Sequence, residues 1–127
     1  MAASAQLPTP SELEILQVVW RHGSTTVREV YRTLARDRDV GYSTVLKLMQ
    51  IMTEKGSLVR DESVRPQVYR AARPREQTQR GILRDLAARA FSGSSASLAM
   101  QALSDRRATP DERRQIRALL DEMDRKS

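Results

Sequence analysis

Ser43, Thr44, Lys47 and Gln50 lie in a stretch from Tyr42 to Lys55 that contains no glycine or proline. Wound as a helix at about 100° per residue, this stretch gathers Val45, Leu48, Met49 and Met52 on one side. Ser43, Lys47, Gln50 and Glu54 then stand opposite, with Thr44 and Leu46 on the flanks. The outer strip begins with hydroxyls and continues with an ammonium and a carboxamide. Such groups suit a polyanion with readable edges. Lysine donates to guanine acceptors, glutamine pairs with adenine, and the carbon of Thr or Leu meets a thymine methyl. At the head of the helix, the hydroxyls and backbone amides of Tyr42 and Ser43 are placed to hold a phosphate. A polar outer strip is also what any solvated helix presents, so the neighbouring elements decide its meaning.

Two capped helices come first. Thr9-Pro10-Ser11-Glu12 reads as a capping box with proline in the first turn, and Gly23 ends the helix it opens. Leu13, Leu16 and Trp20 share one face while Ile15, Val18 and Val19 cover the rest, which marks a buried helix. Thr26-Val27-Arg28-Glu29 reads as a second capping box. Val27, Val30, Tyr31 and Leu34 follow at the spacing of one inward face. The third helix begins near Ser43 and stops at Gly56. After it the period changes. Leu58–Asp61 and Gln67–Arg70 are β-rich runs around the polar turn 62–66, which predicts a hairpin. Three helices and then a hairpin is the order of a winged helix. Arg65, near the hairpin tip, suits a wing reaching phosphate or minor groove, or else a solvated turn. Arg28 and Arg32 stand in the same way between phosphate contact and a solvated face.

Residues 1–8 carry little apolar content and are expected to fray. Beyond Arg73-Pro74-Arg75, further helices are predicted, one carrying Leu83, Leu86, Ala87 and Ala90 and ending near Phe91, then a short one with Leu98 and Leu103. Thr109-Pro110-Asp111-Glu112 opens the last helix, which sets Ile116, Leu119, Leu120 and Met123 on one stripe. Residues 74–127 are too few to bury a core of their own, and they have no disulfide to help. Dimerisation through Leu83, Leu86, Phe91, Leu98, Leu103, Ile116, Leu119, Leu120 and Met123 resolves this. The alternative is that these helices fold back on the winged helix of the same chain.

The 127 residues include 22 Lys and Arg against 16 Asp and Glu, a net charge of +6. That favours a polyanionic partner, although residues 1–73 and 74–127 carry the same basic excess, so charge does not single out the head. There is no cysteine and only one histidine, His22, next to Gly23, where a helix-end or surface role is expected. Thiolate chemistry and disulfides are excluded. No metal site, cofactor or small-molecule ligand is expected, and no catalytic residues. No run nears the roughly 20 apolar residues of a membrane span, so a cytoplasmic protein is expected.

Gly41-Tyr42-Ser43-Thr44-Val45-Leu46-Lys47, Glu54-Lys55-Gly56, Arg60-Asp61-Glu62-Ser63 and Val68-Tyr69-Arg70 together resemble the penicillinase and methicillin-resistance repressor family, of BlaI/MecI type. The entry Thr9 to Leu16, Trp20, the run Phe91-Ser92-Gly93-Ser94 with Leu98, and the closing Leu119-Leu120-Asp121 add to the resemblance, which covers residues 7–123. It implies a winged-helix repressor that binds an operator dyad as a dimer through its C-terminal helices. By position, the family's recognition-helix contacts fall on Ser43, Thr44, Leu46 and Lys47, with Leu46 standing where the antibiotic-resistance members have arginine. Those members are inactivated when a membrane-bound sensor metalloprotease triggers cleavage at an Asn-Phe pair, which corresponds to Gln101-Ala102 here. Copper-responsive relatives use C-terminal cysteines, which this chain lacks.

The expectation is therefore a mainly α protein with a small β-hairpin wing. A winged helix-turn-helix DNA-binding domain occupies residues 1–73 and a helical dimerisation region residues 74–127. Its partners would be double-stranded DNA and a second copy of the chain. Tyr42, Ser43, Thr44, Leu46, Lys47, Gln50, Arg65 and Arg28 are the candidate DNA-binding residues. Two alternatives stay open: a winged helix used as a protein-interaction module, and an enzyme built on an Asp/Glu metal site.

Overall fold

The computed structural model describes residues 7–127, so part of the N-terminal stretch expected to fray, residues 1–6, lies outside the described residues. Six helices and three strands follow in the order α1 (Pro10–His22), β1 (Ser24–Thr25), α2 (Val27–Ala35), α3 (Tyr42–Lys55), β2 (Leu58–Asp61), β3 (Val68–Ala71), α4 (Arg75–Ala90), α5 (Ser95–Asp105) and α6 (Pro110–Lys126). None of these helices is long and apolar enough to cross a membrane. The chain groups into two compact units, the first ending at Leu83 and the second running Arg84–Ser127. The division falls inside α4. The sequence break at Arg73-Pro74 marks the start of that helix, because proline has no amide hydrogen to give to a preceding turn.

Local chemistry accounts for the helix starts. The Thr9 hydroxyl accepts from the Glu12 amide at 3.2 Å while the Glu12 carboxylate accepts from the Thr9 amide at 3.1 Å. Thr109 and Glu112 repeat this box at α6. At α2 only half of the expected box forms. Thr26 accepts from the Glu29 amide at 3.2 Å, and the Glu29 carboxylate instead faces Arg32 at 3.9 Å. Ser94 caps α5 by accepting from the Ser97 amide. Gly56 closes α3 in the left-handed region, φ 88°, where any side chain would be strained.

In the first unit, Ile15, Leu16, Val18 and Val19 of α1 pack with Val27 and Val30 of α2, Val45, Met49 and Met52 of α3, and Leu58 and Tyr69 of the sheet. Leu13 and Trp20 are half-buried, and the Trp20 indole donates to the Arg73 carbonyl at 3.2 Å. The sheet is antiparallel with strand order β1-β3-β2. β1 was not anticipated: two residues carry no periodicity, and only the pairing of Ser24 with Arg70 and Thr25 with Tyr69 makes them a strand. The return strand begins one residue later than the sequence suggests, at Val68. That register places Arg60 opposite Tyr69 and Leu58 opposite Ala71.

The second unit buries little of itself. Among residues 84–127 Ala87 alone is buried. Leu86, Met100, Leu103, Leu119, Leu120 and Met123 are exposed, while Phe91, Leu98 and Ile116 are half-buried.

Candidate nucleic-acid interface

Helix α3 is held by its apolar side. Val45, Met49 and Met52 are fully buried, and Leu46 and Leu48 pack half-buried against the same core. Leu46 is therefore both a packing residue and a flank of the outer strip. Its far end is fixed by an ion pair that local patterning does not reveal: Lys55 Nζ lies 3.0 and 2.9 Å from the two carboxylate oxygens of Glu12, which is itself buried. The carbonyl of Gly56, just past the helix, accepts from Arg73.

The outer strip is open. Ser43, Thr44, Lys47 and Gln50 are exposed, and the side chains of Lys47 and Gln50 have no hydrogen bond or ion pair among the described residues. The head of α3 differs from the starts of α1, α2, α5 and α6, since Gly41 supplies no side-chain cap. The first amides of α3 thus lack the partner that Thr9, Thr26, Ser94 and Thr109 give elsewhere. An external anion can supply that partner, with the helix dipole in its favour.

Tyr42 and Arg28 come together across α2 and α3. The Arg28 guanidinium carbon lies 5.6 Å from the centroid of the Tyr42 ring, and Tyr31 packs edge-on against that ring at 5.7 Å. This cluster borders a cleft that is also lined by Arg32, Leu46, Pro66 and Gln67. Arg65 sits apart from it on the turn, where Nη1 donates to the carbonyls of Glu62 and Val64 at 2.9 and 3.3 Å. That arginine stiffens the turn and is exposed.

Two further wing groups are electrostatically tuned. Tyr69 and the Glu62 carboxylate hold the Arg60 guanidinium above its ordinary pKa, and its Nε donates to Glu62 at 2.9 Å. The Asp61 carboxyl is held below its ordinary value by the hydroxyl and amide of Ser63, at 2.6 and 2.9 Å. His22 Nδ1 lies 2.9 Å from the Val18 carbonyl one turn back on α1. Among the described residues no group of His, Asp or Glu side chains is arranged to hold a metal ion.

Three helices, a small antiparallel sheet with a hairpin turn, and further helices beyond it define a winged-helix protein. The family model described as penicillinase repressor matches residues 8–122. The chain belongs to that family, and it is a DNA-binding transcriptional repressor, which is not a class of enzyme. No curated protein matches its sequence.

Proposed function

We propose that the chain works as a homodimer on a near-palindromic operator in the cytoplasm. Helix α3 enters the major groove and offers Ser43, Thr44, Leu46, Lys47 and Gln50 to base edges and phosphates. The uncapped amides of Tyr42 and its neighbours at the head of α3 lie against the DNA backbone, with Arg28 on one side and Arg65 on the wing at the other. The observation that carries this reading is the combination of a buried inner face of α3, an exposed strip from Ser43 to Gln50, and a head without a side-chain cap. Residues 1–73 serve as the DNA-binding head and residues 74–127 as the dimerisation region.

The dimer reading rests on how little of the second unit is buried. Leu86 on α4, Leu103 on α5, and Leu119, Leu120 and Met123 on α6 are exposed, as is Leu83 at the end of the first unit, which leaves apolar surface for a second copy to cover. Phe91, Leu98 and Ile116 add half-buried surface to the second unit. Two-fold symmetry then sets the two α3 helices on successive half-sites of one dyad.

Relief by proteolysis is the remaining part of the proposal, under a membrane-bound sensor metalloprotease system. The bond between Gln101 and Ala102 lies within α5, and the Ala102 carbonyl accepts from the Arg106 amide at 3.3 Å. Cleavage there requires local unwinding of the helix.

The test begins with a duplex that the protein itself selects from a random-sequence pool. Light scattering and gel shift on that duplex should give two chains per duplex, footprinting should show a protected dyad, and affinity should fall steeply with salt. A monomer without sequence preference would defeat the reading in favour of a protein-interaction module.

A further inference from the structure

We propose that Tyr42 acts as a positioning residue, whose ring holds the Arg28 guanidinium ready for one backbone phosphate at the mouth of the cleft between α2, α3 and the wing. The inference rests on the DNA-binding reading above and adds the role of the ring to it.

Arg28 differs from Arg32, Arg38, Arg60 and Arg65. Arg32 faces Glu29 at 3.9 Å, Arg38 faces Glu14 at 2.8 Å, Arg60 is paired with Glu62, and Arg65 donates to turn carbonyls. Arg28 has no carboxylate or carbonyl partner among the described residues. Its guanidinium carbon lies over the face of the Tyr42 ring, 5.6 Å from the centroid. That ring is itself braced. Tyr31 meets it at an interplanar angle of 77°, and Tyr31 is half-buried against the core.

A half-buried residue packed on the core thus supports a more open ring, and the ring supports a cation. An unsupported arginine on a surface helix loses much rotamer freedom when it binds phosphate. A guanidinium held over an aromatic face has lost part of that freedom beforehand and keeps its N–H donors free at the edge. The cation–π contact neutralises no charge, so the full positive charge remains for the phosphate. In this arrangement it is the Tyr42 ring, and not its hydroxyl, that holds Arg28.

The experiment measures affinity for the selected duplex over a range of salt concentrations. Tyr42→Phe keeps the ring and serves as the reference. Tyr42→Leu should bind about two- to five-fold more weakly, the range an exposed cation–π contact supports. Arg28→Ala should bind more weakly still and lower the slope of log K against log salt by about 0.9, the mark of one lost phosphate contact. Combined with Arg28→Ala, Tyr42→Leu should add nothing. A Tyr42→Phe protein as weak as Tyr42→Leu would assign the contact to the hydroxyl and overturn the proposal. Additive losses in the double variant, or an unchanged slope for Arg28→Ala, would overturn it as well. NMR of the DNA-free protein tests the stack separately. The Arg28 δ-methylene protons should be shifted upfield by the ring in the unmodified and Tyr42→Phe proteins, and not in Tyr42→Leu. Without that shift the stack is absent, whatever the DNA result. With the shift present and no duplex selected, it is the DNA-binding reading that fails, and the phosphate role fails with it.

Discussion

Lys55 at the end of α3 and Glu12 in the first turn of α1 meet as a two-pronged ion pair, with Nζ 3.0 and 2.9 Å from the two carboxylate oxygens. Glu12 is 3% exposed and also accepts from the Thr9 amide, so one carboxylate both closes a helix cap and anchors the far end of α3. Lys55 is the more solvated partner, its side chain being 32% exposed. Lys55→Ala should leave a buried carboxylate without its cation and cost about 2–3 kcal/mol, below the range for fully buried pairs. Lys55→Ala combined with Glu12→Gln should recover part of that loss. Urea unfolding measures both, and a neutral Lys55→Ala would remove the pair from any role in stability.

Lys47 is expected to separate binding from folding. It is exposed and unpaired among the described residues, so Lys47→Ala should change unfolding free energy by no more than about 0.5 kcal/mol. Operator affinity should fall by about 1–3 kcal/mol if the ammonium reads a base edge. Fluorescence anisotropy on the selected duplex decides this, and binding at undiminished strength would remove Lys47 from the interface.

The exposed stripe on α6 predicts the oligomeric state. Leu119 is 60% exposed in the single chain, so Leu119→Asp costs the isolated monomer little. In a symmetric dimer the same change removes two buried leucines, roughly 1.5–3 kcal/mol each. Sedimentation should show the variant as a monomer at concentrations where the unmodified protein is a dimer, with a parallel loss of operator affinity.

The wing turn should respond to acid. The Ser63 hydroxyl, and then its amide, favour the ionised form of Asp61 and hold its pKa below the ordinary 3.8. A pKa lower in the folded state means that the group contributes stability above 3.8 and loses the contribution as pH falls through the folded value. An NMR titration of the Asp61 carboxyl should therefore find its midpoint below 3.8. Ser63→Ala removes the hydroxyl donor alone and should move that midpoint upward, and an unmoved midpoint would show that the hydroxyl hydrogen bond does not form in solution.

What could be read along the chain is what neighbours decide. Thr9 with Glu12 and Thr109 with Glu112 form caps because their partners lie three residues away. The inward faces of α1, α2 and α3 follow from helical spacing, and the winged-helix order follows from three such helices and a hairpin. The family was legible for the same reason, as an ordered set of short motifs over nearly the whole chain. The exposed strip from Ser43 to Gln50 was also visible as a pattern, since a helix with a buried side must turn its other side outward.

Tertiary structure alone decided which distant groups meet. Lys55 and Glu12 are 43 positions apart, and Trp20 and Arg73 are 53 apart. Nothing in their local sequence selects one partner over the many other charges and carbonyls. Ser24 and Thr25 became a strand only because Arg70 and Tyr69 came alongside, and Arg28 found the Tyr42 ring only because α2 and α3 pack together. Periodicity and capping act through a few bonds of chain, whereas these contacts depend on a crossing geometry set by the whole core.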